Sequence, residues 1–189
     1  MARHQGQRSP SPGVEAGARV RALRLDRGLS LTALAAAAGI GKGSLSELEA
    51  GRRNPTLDTL YAVAGPLGVP LAALVDDRDG TVVPGETLDA VRLHVLVEAD
   101  RTTEVYLLRL AAGRTRRSPA HAAGAIEQLI VLAGECRVEV GGAAPSAREV
   151  PTGAHLAWAA DVPHAYTAGP GPDLRAVNVI TTPTTPPTT

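Results

Sequence analysis

Residues 29–55 read LSLTALAAAAGIGKGSLSELEAGRRNP, a stretch that spells two short helices around a tight turn. The run before it places Val20 and Leu23 on one side and Arg19, Arg21, Arg24 and Arg27 on the other. Gly28 can take the left-handed conformation that ends such a helix. Ser30 then caps a second helix over residues 31–38, alanine-dense, so that another helix can cross close against it. Gly39 stops it, and Ile40 fills the corner. A third helix over residues 42–50 buries Leu45 and Leu48 and turns Lys42, Gly43, Ser46 and Glu47 outward. Gly51 ends it. After the basic loop Arg52-Arg53-Asn54-Pro55, Thr56 caps a fourth helix carrying Leu57, Leu60, Val63, Ala64 and Leu67, closed by Gly68. A short fifth helix is expected after Pro70, with Leu71 and Leu74.

The chain has 189 residues, long enough for two modest domains, and 44% of them are hydrophobic. With no Phe, one Trp and three Tyr, the cores must be built from Leu, Val and Ala. The formal net charge is zero, but its distribution is uneven. Residues 14–54 hold seven Arg or Lys against four acids, whereas ten Arg face twelve acids from Arg78 onward. The single Cys136 excludes an intramolecular disulfide, and its place in an alternating strand pattern makes it a packed thiol. With no apolar leader and no run of 18 apolar residues, the expectation is a cytoplasmic protein without a membrane partner.

Residues 1–13 and 182–189, poor in apolar side chains, read as tails. The helical domain then covers 14–76, a Gly- and Pro-bearing linker 77–86, and a second domain 87–181. In that second domain the period becomes two. Residues 92–97, 104–110, 128–132, 136–140, 155–159 and 174–180 are strand candidates between Gly, Pro and Ala-rich turns. Short strands at this spacing indicate an antiparallel sandwich or barrel.

The helical half resembles the phage-repressor-like, xenobiotic-response-element family of helix-turn-helix regulators. Leu34-Ala35, Gly39-Ile40, Leu45-Ser46, Glu49, Gly51 and Asn54-Pro55 carry the resemblance. It implies a five-helix DNA-binding domain in which Lys42, Gly43, Ser44, Ser46 and Glu47 face the major groove, with Lys42 and Ser46 at base edges. Thr32, Arg52, Arg53 and Asn54 would contact phosphates, which position a protein without reading sequence. Two departures stand out: Leu31 replaces the glutamine with which many members touch a phosphate, and the third helix opens Gly41-Lys42-Gly43.

The second half resembles a cupin, an antiparallel β-barrel. Gly113, His121, Glu127 and Gly134 in residues 113–134 match its first motif, and Pro151, Gly153, Pro163 and His164 in residues 151–168 match its second. In metal-binding cupins three histidines and a glutamate converge on one divalent ion. Here the resemblance supplies His121, Glu127 and His164, while Pro119 replaces the first histidine and Ala168 an asparagine. Imidazole and carboxylate would suit Zn, Fe, Ni or Mn. The alternative use of these groups is a polar pocket for an organic effector, lined by Arg109, His121, Glu127 and Tyr166. Arginines near the entry (Arg109, Arg114, Arg116, Arg117) would suit an anionic ligand. Tyr106 and Trp158 are the other aromatics available to such a pocket, and His94 and His155 read as structural.

The fused pair resembles bacterial one-component regulators, non-enzymatic proteins that bind a palindromic double-stranded operator as homodimers and sense a small molecule in the barrel. The same layout also resembles hydroxypropylphosphonate epoxidase, an iron enzyme, which is the alternative reading.

Overall fold

The computed structural model describes residues 12–75, 80, 82, 83, 85, 87–141 and 145–184. Among them, helices α1 (Pro12–Asp26), α2 (Leu31–Ala37), α3 (Lys42–Glu49) and α4 (Leu57–Leu67) precede ten strands. The expected punctuation operates: Gly28, Gly39, Gly51 and Gly68 all have positive φ, from 61° to 67°, a region that costs a side-chain-bearing residue about 1–2 kcal/mol. Ser30 Oγ accepts from Ala33 N at 3.0 Å, and Thr56 Oγ1 from Thr59 N at 3.3 Å, capping α2 and α4. The expected fifth helix is only a 3₁₀ turn, Leu71–Ala73. The Ala72 N–H, an orphan at the start of any helix, donates instead to a carboxylate of the second domain. Helix α1 begins at Pro12, inside the stretch expected to be a tail, and residues 1–11 lie outside the described residues.

The helical core is built by Val20, Leu34, Leu45, Leu48, Leu57, Leu60, Val63 and Leu67, each at most 1% exposed. Arg24, expected on the outward face of α1, is instead buried. Its guanidinium donates to both carboxylate oxygens of Glu49, at 2.6 and 2.7 Å, and to Leu29 O at 2.9 Å. That fork ties α1 to α3.

The strands are β1 (Val82–Val83), β2 (Leu88–Val97), β3 (Arg101–Leu110), β4 (Thr115–Ser118), β5 (Ile126–Ala133), β6 (Cys136–Val140), β7 (Ser146–Val150), β8 (His155–Ala159), β9 (His164–Ala168) and β10 (Leu174–Pro183). All pairings are antiparallel, in two sheets ordered β1-β2-β3-β10-β5-β8 and β4-β9-β6-β7. The ladders leave the two sheets separate, a sandwich in place of the closed barrel expected. Strand alternation turns Tyr106, Leu108, Leu129, Val131, Val138, Tyr166 and Ala176 inward, and one buried cluster runs through both sheets and the helices. Cys136 lies in it fully buried, and burial pushes its thiol up to about 12. β10 runs on to Pro183, past the expected start of the tail at 182. Pro183 faces Arg101 of β3, and the ladder to β5 has already ended at Thr181, so its missing N–H costs nothing on that side. Of the linker 77–86, only residues 80, 82, 83 and 85 are described; Val82 and Val83 pair with Val91 and Ala90 of β2. Among the described residues no helix is long and apolar enough to cross a membrane.

A layer of buried polar side chains occupies the end of the sandwich beneath α4 and the 3₁₀ turn: Thr102, Glu104, Arg116, Ser118, Glu127, His164, Asn178 and Thr182. Burying so many polar groups costs free energy unless they are paired or serve a ligand.

Candidate DNA-recognition surface and buried metal centre

The turn between α2 and α3 presents the expected outward face. Thr32, Lys42, Gly43, Glu47, Arg52, Arg53 and Asn54 are exposed, whereas Ser44 and Ser46 are half-buried. Ser44 and Arg53 line one cleft of about 220 Å³ with Gly41, Pro55 and Thr59. The opening turn of α3 and the basic loop therefore belong to one surface. Leu45 and Leu48, one turn apart, fix the rotation of α3 by burying its inner side.

The second candidate site lies inside the sandwich. Glu127 projects inward from β5, His164 from the start of β9, and His121 from the loop between β4 and β5. Their ligand atoms all lie within 4.8 Å of one another. Glu127 Oε1 accepts from Asn178 Nδ2 at 2.6 Å and from the Tyr166 hydroxyl. Oε2 faces His121 Nε2 at 3.2 Å and His164 Nε2 at 3.0 Å. His164 Nδ1 lies 3.0 Å from Val162 O, so its N–H donates to that carbonyl and points Nε2 at the carboxylate. His164 Nε2 meets Glu127 as an ion-pair contact and has no other hydrogen-bond partner.

Burial would by itself raise the Glu127 carboxyl, but the two imidazoles hold it well below the usual carboxylate range. Burial opposes charge on His164, yet Glu127 outweighs it and raises the imidazole. The carboxylate thus calls for positive charge on its imidazole side, which imidazolium protons or a divalent ion can supply. Such an ion fits the donor set. An Nδ1–H anchored on a carbonyl leaves Nε2 as the ligating atom, and Tyr166 with Asn178 orients the carboxylate from behind. Three protein ligands would leave positions open for water or an oxygen ligand.

The structure brings His121, Glu127, His164 and Tyr166 together but separates Arg109 from them. In β3 the inward side chains are Thr102, Glu104, Tyr106, Leu108 and Leu110, so Arg109 faces out and is exposed. It lines an outer hollow of about 500 Å³ with Asp89, Asp173 and Arg175. Among the described arginines of the second domain Arg92 and Arg116 are buried, each 3% exposed; Arg116 lies beside Tyr166 in the β4–β9 ladder, whereas Arg114 and Arg117 face solvent. His155 is exposed and hydrogen-bonded to Gln128, and His94 is exposed. Tyr106 donates to the buried Glu104, which also takes the Ala72 N–H at 2.6 Å. Burial raises the Glu104 carboxyl against those hydrogen bonds.

Sequence reasoning missed Asn178, Glu104 and two residues of the helical domain. Tyr61 of α4 sets its ring 5.1 Å from that of His121, and the Arg116 guanidinium lies 5.7 Å from the Tyr61 ring centre. Asp58, one turn earlier, forms an ion pair with Arg116. Trp158 packs against His164 and Tyr166, with ring centres 5.9 and 6.0 Å away. Nothing in strand or helix periodicity announces these contacts, since those of Tyr61 and Asp58 need the two domains docked and those of Trp158 and Asn178 need the strands paired.

Comparisons with known proteins agree with the helical half, and two of them extend over most of the chain. Residues 20–74 match the family model described as helix-turn-helix. The HTH-type transcriptional regulator SutR of Escherichia coli (strain K12) is 27% identical over 154 residues, covering 79% of this chain and 85% of that protein. The uncharacterized HTH-type transcriptional regulator y4dJ of Sinorhizobium fredii is 43% identical over 65 residues, 34% of this chain and 84% of that protein. A crystal structure of an HTH_3 family transcriptional regulator from Vibrio cholerae superposes with a TM-score of 0.69 at 26% identity, covering 89% of this chain and 95% of that one.

Proposed function

The chain belongs to the helix-turn-helix transcriptional regulators, and from that premise we propose that it binds an operator in double-stranded DNA through α3 and senses a small molecule in its second, cupin-like domain. The observation that carries the proposal is the exposed Lys42–Glu47 side of α3 beside the exposed Arg52-Arg53-Asn54 loop, with Leu45 and Leu48 buried on the opposite side of the helix. Lys42 reads base edges; Arg52, Arg53, Asn54 and Thr32 hold phosphates; and Ser46, half-buried, reaches the groove from the side of α3. The protein acts as a homodimer, because one small module reads too few base pairs to select a site. Exposed Ile126, Ile130 and Leu132 of β5 provide apolar surface for pairing through the second domain. His121, Glu127 and His164 hold a divalent ion that, when bound, offers open positions to oxygen donors of an effector. Tyr166 and Asn178 keep the carboxylate oriented.

The iron-epoxidase reading would use the same three ligands. It is disfavoured because the relative that spans 79% of this chain carries the name of a transcriptional regulator. Fluorescence anisotropy with an operator duplex tests the main reading. Lys42→Ala should cost about 1–3 kcal/mol of discrimination at one base position, and Arg53→Ala should weaken all sequences and lower the salt slope by about 1. Binding unchanged in both variants would remove α3 from the account.

A further inference from the structure

Helix α4 of the DNA-binding domain lies over the buried centre as a lid. Asp58, Tyr61 and Gly65 share one face of it, spaced three and four residues apart. Asp58 reaches the Arg116 guanidinium, Tyr61 lies between that guanidinium and His121, and Gly65 permits close contact: a Cβ there would sit 2.7 Å from Ala120 O in the loop carrying His121.

The charges in this contact are unequally placed. The Arg116 side chain is 3% exposed and that of Asp58 38%. Arg116 Nη2 has no hydrogen-bond partner, and neither has Trp158 Nε1 or Asn178 Oδ1 in the same interior. The other carboxylate nearby, Glu127, is already engaged by Tyr166, Asn178 and His121. A buried guanidinium without an anion is strongly unfavourable. A carboxylate that replaces that of Asp58 would keep the Arg116 guanidinium paired when α4 lifts.

Building on the regulator reading above, we propose that the effector is a small carboxylate that takes the place of Asp58 on Arg116, so that effector binding and docking of α4 exclude one another. The two N–H groups of a guanidinium edge match a carboxylate. The effector's body takes the place of the Tyr61 ring beside His121, and the free Trp158 N–H and Asn178 carbonyl offer a donor and an acceptor to its polar substituents. The consequence reaches DNA by a short route. Asp58 lies four residues after Asn54, and Thr56 Oγ1 accepts from the Thr59 N–H at 3.3 Å and hydrogen-bonds the Thr59 hydroxyl at 3.0 Å. The cap holds Thr56 to α4, and only Pro55 separates it from the Arg52-Arg53-Asn54 loop, so a displacement of α4 is passed toward that loop.

Calorimetric titration of the full chain with benzoate and 4-hydroxybenzoate, each against its uncharged amide, tests the proposal. The carboxylates should bind and the amides should not, and Arg116→Gln should abolish binding. Asp58→Asn, which removes the internal competitor, should bind the carboxylates about 10-fold tighter, a coupling of ordinary allosteric size. Gly65→Ala, which pushes α4 off without touching either charge, should also tighten binding. Affinity in Asp58→Asn no higher than in the natural protein, equal binding of the amides, or no binding of either carboxylate to any of these proteins would overturn the proposal. Operator binding measured on the same samples separates the two readings: its persistence confines such a failure to the effector, and its absence refutes the regulator reading itself.

Discussion

The Arg24–Glu49 fork allows the account of the helical domain to be tested quantitatively. The perturbations are Arg24→Met, Glu49→Gln and the pair together. The two side chains are 10% and 7% exposed and meet through two hydrogen bonds at 2.6 and 2.7 Å, joining α1 to the last residue of α3. An exposed ion pair is worth at most about 1 kcal/mol. Stranding one partner of a fully buried pair costs about 3–5 kcal/mol. This fork lies near the domain surface, so each single change should cost about 2–3 kcal/mol, discounted from that buried range. The double variant should cost no more than either single one, because no charge is left stranded. A coupling of about 2 kcal/mol follows, measurable by urea denaturation of the full chain read as helix content. Coupling below about 0.5 kcal/mol would put the fork in the class of exposed pairs and refute the reasoning. The same variants address DNA. Because Arg24 is consumed inside the domain, the double variant should keep the natural salt dependence of operator binding, unlike Arg53→Ala.

Two further outcomes follow from the buried carboxylates. Glu104 has a folded value above its unfolded one because it is buried, so its contribution is fully present below about pH 4 and lost as pH rises through the folded value. Glu104→Gln keeps an oxygen for Ala72 and Tyr106 but has no charge to bury, so its stability relative to the natural protein should rise between pH 4.5 and pH 8. A difference equal at both pH values in urea melts would contradict this. Glu127→Ala should lose the near-stoichiometric divalent metal expected of the purified natural protein; elemental analysis finding no metal in the natural protein would leave the centre to an organic ligand alone.

The helical half was largely legible in the sequence because its signals are local: a Gly after each helix, Ser30 and Thr56 before two of them, and Leu45 and Leu48 one turn apart. The fifth helix was misjudged because the Ala72 N–H finds its acceptor in Glu104, 32 residues away. In the second half the longer strands showed their alternation, whereas β4, β7 and β9 were missed, as was the two-residue β1 inside the expected linker. β4 reads Thr-Arg-Arg-Ser and β9 His-Ala-Tyr-Thr-Ala, patterns with no apolar alternation. That omission had a cost at the site. Arg109 and Arg116 are equally polar, and only strand register decides which of them points inward. His121, Glu127 and His164 were recognisable by motif, but Asn178, Asp58 and Tyr61 join them through sheet pairing and domain docking, which leave no periodic trace.

The central claim, sequence-specific DNA recognition through α3, is tested most directly by selecting bound duplexes from a random-sequence pool with the purified full chain. The account predicts enrichment of one approximate palindrome with half-sites about one helical turn apart, 10–10.5 base pairs centre to centre. That enrichment should be lost for Lys42→Ala at a defined position in each half-site. A pool that stays random while the protein binds it at low salt would show phosphate attraction alone and contradict the claim.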